Sequence, residues 1–134
     1  EAGRAISPIH YERHSAYIVD YLDIPNLGEL ERRILSELCH HHRSGRLLKK
    51  EAPFKKNLPL QRIFFKLLAL LRISAAFSLQ RSKPIKIERA AIKAKKVKIL
   101  VSKRYSPDLE VLRAEQSKAL FEEIFKKQLS IEFV

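Results

Sequence analysis

At Lys83-Pro84 the hydrophobic rhythm of the chain changes from a period near 3.6 residues to a period of two, and that change constrains the fold class more than any other feature. Apolar residues spaced three and four apart bury one stripe of a helix, whereas alternating ones bury one face of a strand. Before the change, residues 9 to 22 carry Ile9, Tyr17, Ile18, Tyr21 and Leu22 as an apolar stripe that Pro25 ends. Asn26 is placed to cap a second helix, roughly 28 to 42, with Leu30, Ile34, Leu35 and Leu38 at helical spacing until Arg43-Ser44-Gly45 breaks it. A basic, proline-interrupted loop then leads to residues 58 to 80, which are apolar around most of their circumference, as in a central buried helix.

After the change, Ile85 and Ile87 alternate with Lys86 and Glu88, and Val97, Ile99 and Val101 alternate with Lys98, Leu100 and Ser102. This is strand behaviour, and the Lys-Ala-Lys-Lys run between the two segments reads as a turn. Ser106, Pro107 and Asp108 supply an N-cap, a first-turn proline and a first-turn carboxylate. They open a helix that runs to about Lys126 on Leu109, Leu112, Leu120, Phe121, Ile124 and Phe125. Residues 129 to 134 alternate again as a last strand. The fold class is therefore α+β: a helical bundle over residues 1–83, followed by a small β-β-α-β unit over 84–134.

Length and composition set the outer limits. A chain of 134 residues with 46% hydrophobic content can bury a core of its own. Its 27 Lys and Arg against 15 Asp and Glu give a formal charge of +12, a field that attracts nucleic acid, polyphosphate, nucleotides or acidic surfaces without choosing among them. Cys39 is the single cysteine, so no internal disulfide framework exists, and a cytoplasmic location is expected. Lys66 and Arg72 interrupt the longest apolar stretch, which excludes a membrane span there. With no methionine at all, the chain reads as a piece of a longer or processed protein.

The histidines raise the question of a metal. His10 and His14 stand four apart, a spacing that can grip one ion from a helix face, and His40, His41 and His42 add imidazoles at the end of the second helix. Carboxylate is what they lack. No His-Asp pair occurs in the chain, and hard cations need oxygen ligands. Structural or phosphate-binding histidines are the expectation, with no stoichiometric divalent metal at His10, His14 and His42.

The segment from His10 to Arg43, the Pro53-Phe54-Lys55-Lys56-Asn57 loop and the helix ending in Leu71-Arg72-Ile73-Ser74-Ala75-Ala76 together resemble the C-terminal part of the exopolyphosphatase and guanosine pentaphosphate phosphohydrolase family. That region of the family resembles a histidine-aspartate helical domain. His14-Ser15 falls on its His-Ser, His42-Arg43 on its His-Arg, Lys55-Lys56 on its basic loop, and Arg72 on the Arg of its central helix. Ser74 and Ser78 stand where metal-binding relatives carry an aspartate, and Glu1-Ala2-Gly3 looks like the end of a longer family segment.

The resemblance implies a parent whose hydrolytic site, with its glycine-rich phosphate loops and magnesium, lies on two N-terminal actin-like domains. Only three glycines occur here and no such loop. A non-catalytic domain that binds polyphosphate, or guanosine pentaphosphate, and guides it to those domains is the reading that follows, with no cofactor in this chain. A row of Arg and Lys suits such a ligand, which many modest contacts hold. Arg13, His14, Arg43, Lys49, Lys50, Lys55, Lys56 and Arg62 are the polyphosphate-binding candidates. Arg72, on a nearly apolar helix, reads equally as a buried guanidinium in a structural ion pair. The isolated chain is expected to expose an apolar patch and to self-associate, as in a homodimer, or to pack against a neighbour. Two rivals remain, a metal-dependent histidine-aspartate phosphohydrolase and a nucleic-acid-binding module. The second is disfavoured because the aromatics mostly sit at core periods, leaving no Phe/Tyr stacking motif of the RNA-binding type.

Overall fold

The computed structural model describes residues 2–43, 52–78, 86–102 and 108–133. These form two compact units, Glu1–Leu68 and Ala69–Val134, with the division falling inside one long helix. The Lys83-Pro84 boundary expected from composition lies outside the described residues, as do Ile85, Ser106 and Pro107. Among the described residues, four α-helices, one 3-10 turn and a three-stranded sheet give the α+β class that the periodicities predict.

The first unit begins with a single 3-10 turn, Ala2–Ala5, followed by α1, Tyr11–Tyr21, and α2, Glu29–His41. Helix α1 starts later than its periodicity suggests, because His10 adopts the left-handed conformation with φ 53°. Its buried residues are Tyr11, Ser15 and Ala16. The expected stripe is corrected here: Ile9, Tyr17, Tyr21 and Leu22 are exposed, Tyr21 at 75%. At Ser15 the small side chain faces the closely approaching 3-10 turn, and Tyr11 and Ala16 share the inward face with it.

Helix α2 is capped at Gly28, whose N–H donates to the Glu31 carboxylate over 2.7 Å. Asn26, expected as the cap, instead takes a left-handed turn conformation with φ 61°. Arg32 then joins the two helices by donating to the carbonyls of Val19, at 3.1 Å, and Leu22, satisfying acceptors that the end of α1 leaves open.

Helix α3, Leu58–Phe77, is opened by Asn57, whose Oδ1 accepts the Leu60 N–H at 3.1 Å. Phe64 and Leu68, in the part of this helix that belongs to the first unit, are fully buried, and a buried phenylalanine contributes about 1.5–3 kcal/mol. The expectation of burial on most of its circumference is only partly met, since Ile63 and Leu70 are each 50% exposed.

In the second unit, β1, Ile87–Ile92, pairs antiparallel with β2, Lys96–Val101, with an irregularity between Ile87 and Arg89. Helix α4, Asp108–Phe125, carries the chain over to β3, Gln128–Phe133, which lies parallel to β2 and makes it the central strand. Val97, Val101 and Leu129 from the strands pack with Ala69, Ile73, Ala76 and Phe77 of α3 and with Ala114 and Phe121 of α4. Leu109 and Leu112, expected in the core, are exposed. No helix among the described residues is long and apolar enough to cross a membrane.

Candidate functional site

Two groups of basic side chains stand out in the first unit, and each is fixed by a packing contact. The first lies where the 3-10 turn meets α1. A Cβ at Gly3 would lie 2.2 Å from the Tyr11 carbonyl oxygen and 2.4 Å from the Ser15 nitrogen, so this approach admits only glycine. The Gly3 N–H donates to the buried Ser15 Oγ at 3.0 Å. Held there, Arg4 brings its guanidinium carbon 4.4 Å from the Tyr11 ring centroid. Arg43, just past α2, reaches the same ring at 4.6 Å. Both distances are those of cation–π contacts, so one buried tyrosine orders two guanidinium groups.

The same corner holds Glu12 and two histidines. Arg43 Nη1 stands 3.5 Å from Glu12 Oε2, and His10 Nδ1 stands 3.3 Å from Glu12 Oε1. Burial pushes the Glu12 carboxyl upward, but its backbone hydrogen bond, His10 and Arg43 outweigh that and hold it below the usual carboxylate range. His42 is half-buried, with its ring 5.7 Å from Tyr11 and Nδ1 2.7 Å from the Cys39 carbonyl oxygen. A carbonyl can only accept, so Nδ1 carries the proton and Nε2 is left as an acceptor. Burial drives its pKa down, and the positive charge of Arg43 adds to that, against the raising effect of the Cys39 carbonyl. Burial thus favours the neutral imidazole.

The second group is the turn before α3. Phe54 takes a left-handed conformation with φ 58°, which is costly for a large side chain and is held by its surroundings. Its ring lies 5.7 Å from that of Phe64, and the Arg33 guanidinium sits 5.5 Å over it. Gln61 Nε2 donates to the Pro53 carbonyl at 2.9 Å, and the Asn57 N–H to the Phe54 carbonyl at 2.9 Å. This frame exposes Lys55 and Lys56 beside the N-terminus of α3, which has no acid in its first turn, and Arg62 follows, exposed on the helix. The helix end adds its own positive potential to that of the side chains.

Of the sequence-derived site residues, Arg43 joins the Tyr11 corner, and Lys55, Lys56 and Arg62 share the start of α3. Arg13 is exposed on α1, and His14 is half-buried beneath the 3-10 turn, its Cβ close to Gly3. Lys49 and Lys50 lie outside the described residues. Arg4, Tyr11, Glu12 and His42 belong to the corner as well but carry no sequence signal as a set, because they come from three separate segments. The one local clue is Gly3, a glycine just before an arginine. Arg72 is buried in α3, where burial lowers its pKa.

Among the described residues, no group of three or more His, Cys, Asp or Glu side chains gathers to hold a metal. His10 precedes the helix and turns to Glu12 rather than sharing a helical face with His14. Ser74 and Ser78 donate to the carbonyls of Leu71 and Ser74, at 2.9 and 3.1 Å. Tyr17 and Tyr21, expected on the apolar stripe, are exposed with ring centroids 4.6 Å apart. Asp20 on the same helix and Asp23 just beyond it put negative charge beside them, which disfavours a phosphate backbone on that face.

Residues 1–119 match the family model described as Ppx/GppA phosphatase, domain III. No curated protein matches the chain.

Proposed function

Because the chain belongs to the Ppx/GppA phosphatase family, through the domain III that covers most of its length, we propose that it is a non-catalytic domain that binds a phosphate chain. Its ligand is polyphosphate, or the phosphates of guanosine pentaphosphate, guided toward a catalytic partner domain of the parent enzyme. The observation that carries this reading is the Phe54-anchored turn, which presents Lys55 and Lys56 at a helix N-terminus without an acid in its first turn. The two guanidiniums ordered on Tyr11 support it from a second place in the same unit.

Polyphosphate carries about one charge per unit at neutral pH, so many modest contacts hold it better than one deep pocket. Arg offers a planar fork to phosphate oxygens and Lys a mobile point charge, and Arg13, His14, Arg43, Lys55, Lys56 and Arg62 supply both kinds. Terminal phosphate removal needs a positioned water or carboxylate, cations on the transferred group and donors that cradle its oxygens. In this reading the N-terminal domains of the parent supply them, together with magnesium. The residues of this chain bind and orient.

Binding of long-chain polyphosphate by the full chain, followed as a function of salt, tests the proposal. Affinity should fall steeply with salt, and replacing Lys55 and Lys56 together by Ala should lower both the affinity and the salt slope, by roughly 1–2 units for two lost contacts. Absence of polyphosphate binding at low salt would reject the function, and an unchanged slope in the double variant would remove the turn from the binding surface.

A further inference from the structure

The second unit carries a basic cluster of its own, where two turns meet at one end of the sheet. The β1–β2 turn contributes Lys93, Lys95 and Lys96, and the α4–β3 turn contributes Lys126 and Lys127. Parallel pairing of β2 with β3 sets Lys96 opposite Gln128. The Gln128 N–H donates to the Lys95 carbonyl at 2.9 Å, the Lys127 ammonium to the Lys93 carbonyl at 3.0 Å, and the Lys93 N–H to the Lys96 carbonyl at 2.8 Å. Two turns more than 30 residues apart in sequence are thereby fixed side by side, with five lysines on them.

Among the described residues, the other lysines of this unit are paired with carboxylates. Lys98 pairs with Glu132 at 2.5 Å, Lys86 with Glu88 at 3.1 Å, and Lys118 with Glu115. The nearby Glu122 is engaged by the backbone, its Oε1 accepting the Leu129 N–H at 2.9 Å. Among the described residues, none of the five ammoniums is engaged by a carboxylate, and Lys93, Lys95, Lys96 and Lys126 are exposed. Like charges gathered on adjoining turns raise the local positive potential, and an anion with several charges in a row answers it. The cluster contains neither an arginine fork nor an aromatic platform, so it reads charge density rather than base identity or planar geometry.

We propose that these paired turns form a second binding site for a linear phosphate chain, separate from the basic groups of the first unit. In taking polyphosphate as the ligand, the proposal rests on the function given above. A chain of adjacent phosphates offers one charge per unit without intervening bases, which matches a cluster that offers charge but no platform for bases better than a nucleic-acid backbone does.

The test uses the whole chain with Lys93→Gln, Lys95→Gln and Lys126→Gln combined. Lys127 is left in place because it holds the turns together. Circular dichroism checks that the fold is retained, and fluorescence anisotropy follows long-chain polyphosphate and a single-stranded RNA of equal charge. The expected result is a roughly tenfold loss of polyphosphate affinity at low salt, with the salt slope smaller by about 2, while native protein prefers polyphosphate to RNA. If the triple variant binds polyphosphate as native protein does, while the Lys55/Lys56 variant is weakened, the second site is wrong and the proposed function stands. Equal affinity of native protein for RNA would overturn polyphosphate as the ligand of these turns. Failure of native protein to bind polyphosphate at all would overturn both proposals.

Discussion

The Gly3 amide donates to the Ser15 hydroxyl across 3.0 Å, and this buried bond holds the 3-10 turn on α1. Ser15→Ala should therefore leave a buried N–H without its partner and destabilise the first unit by about 1–3 kcal/mol. Gly3→Ala should cost at least as much, because the new Cβ meets backbone atoms of α1 that cannot rotate away. Urea unfolding followed by circular dichroism measures both, and a Gly3→Ala protein as stable as native would show that the turn does not need this approach.

His42 should make stability depend on pH in the mildly acidic range. Its folded-state pKa is depressed, chiefly by burial, so unfolding takes up a proton there. The contribution is fully present above the ordinary histidine pKa and is lost as pH falls through the lower, folded value. Unfolding midpoints measured from pH 7.5 down to 5 should decline, and His42→Gln should flatten that decline. A His42 imidazole that titrates above the ordinary histidine value by NMR would reverse the sign.

Arg43 links three features of the corner at once, lying 4.6 Å from the Tyr11 ring and 3.5 Å from Glu12. Arg43→Ala should raise the Glu12 pKa toward its ordinary value, seen in a carboxyl-detected NMR titration, and weaken polyphosphate binding severalfold. Arg43→Lys should recover part of the binding, since the charge remains while the planar stacking and the fork are lost.

Phe54 holds the lysine turn without carrying charge. Phe54→Ala removes its contacts with Phe64 and Arg33, and should lower stability by about 2 kcal/mol for this half-buried ring. Polyphosphate affinity should fall too, although every Lys and Arg is still present. Unchanged affinity in this variant would mean that Lys55 and Lys56 act as loose surface charges.

Phosphate release gives the last check. The chain, prepared free of host phosphatases and supplied with polyphosphate and magnesium or manganese, should release no phosphate above background. Turnover that co-purifies with the chain and disappears in His14→Ala would place chemistry in this domain.

The sequence by itself determined the kinds of elements and their order. The period of 3.6 residues before Lys83-Pro84 and of two after it are local properties, and they fixed three helices followed by a β-β-α-β unit. The lysine pair before α3 was visible for the same reason, since Pro53 to Asn57 is one continuous turn. What tertiary structure alone decided is which face of each helix points inward and which distant charges become neighbours. On α1 the residues turned inward are Tyr11, Ser15 and Ala16, the first two meeting the close approach of Gly3, while Tyr17 and Tyr21 are exposed. The two guanidiniums on Tyr11 come from opposite ends of a 40-residue stretch, and the five lysines of the second unit meet only because β3 pairs parallel to β2. Hydrogen bonding between strands and contact between a glycine and a helix backbone depend on residues far apart in the chain, and no local period records them.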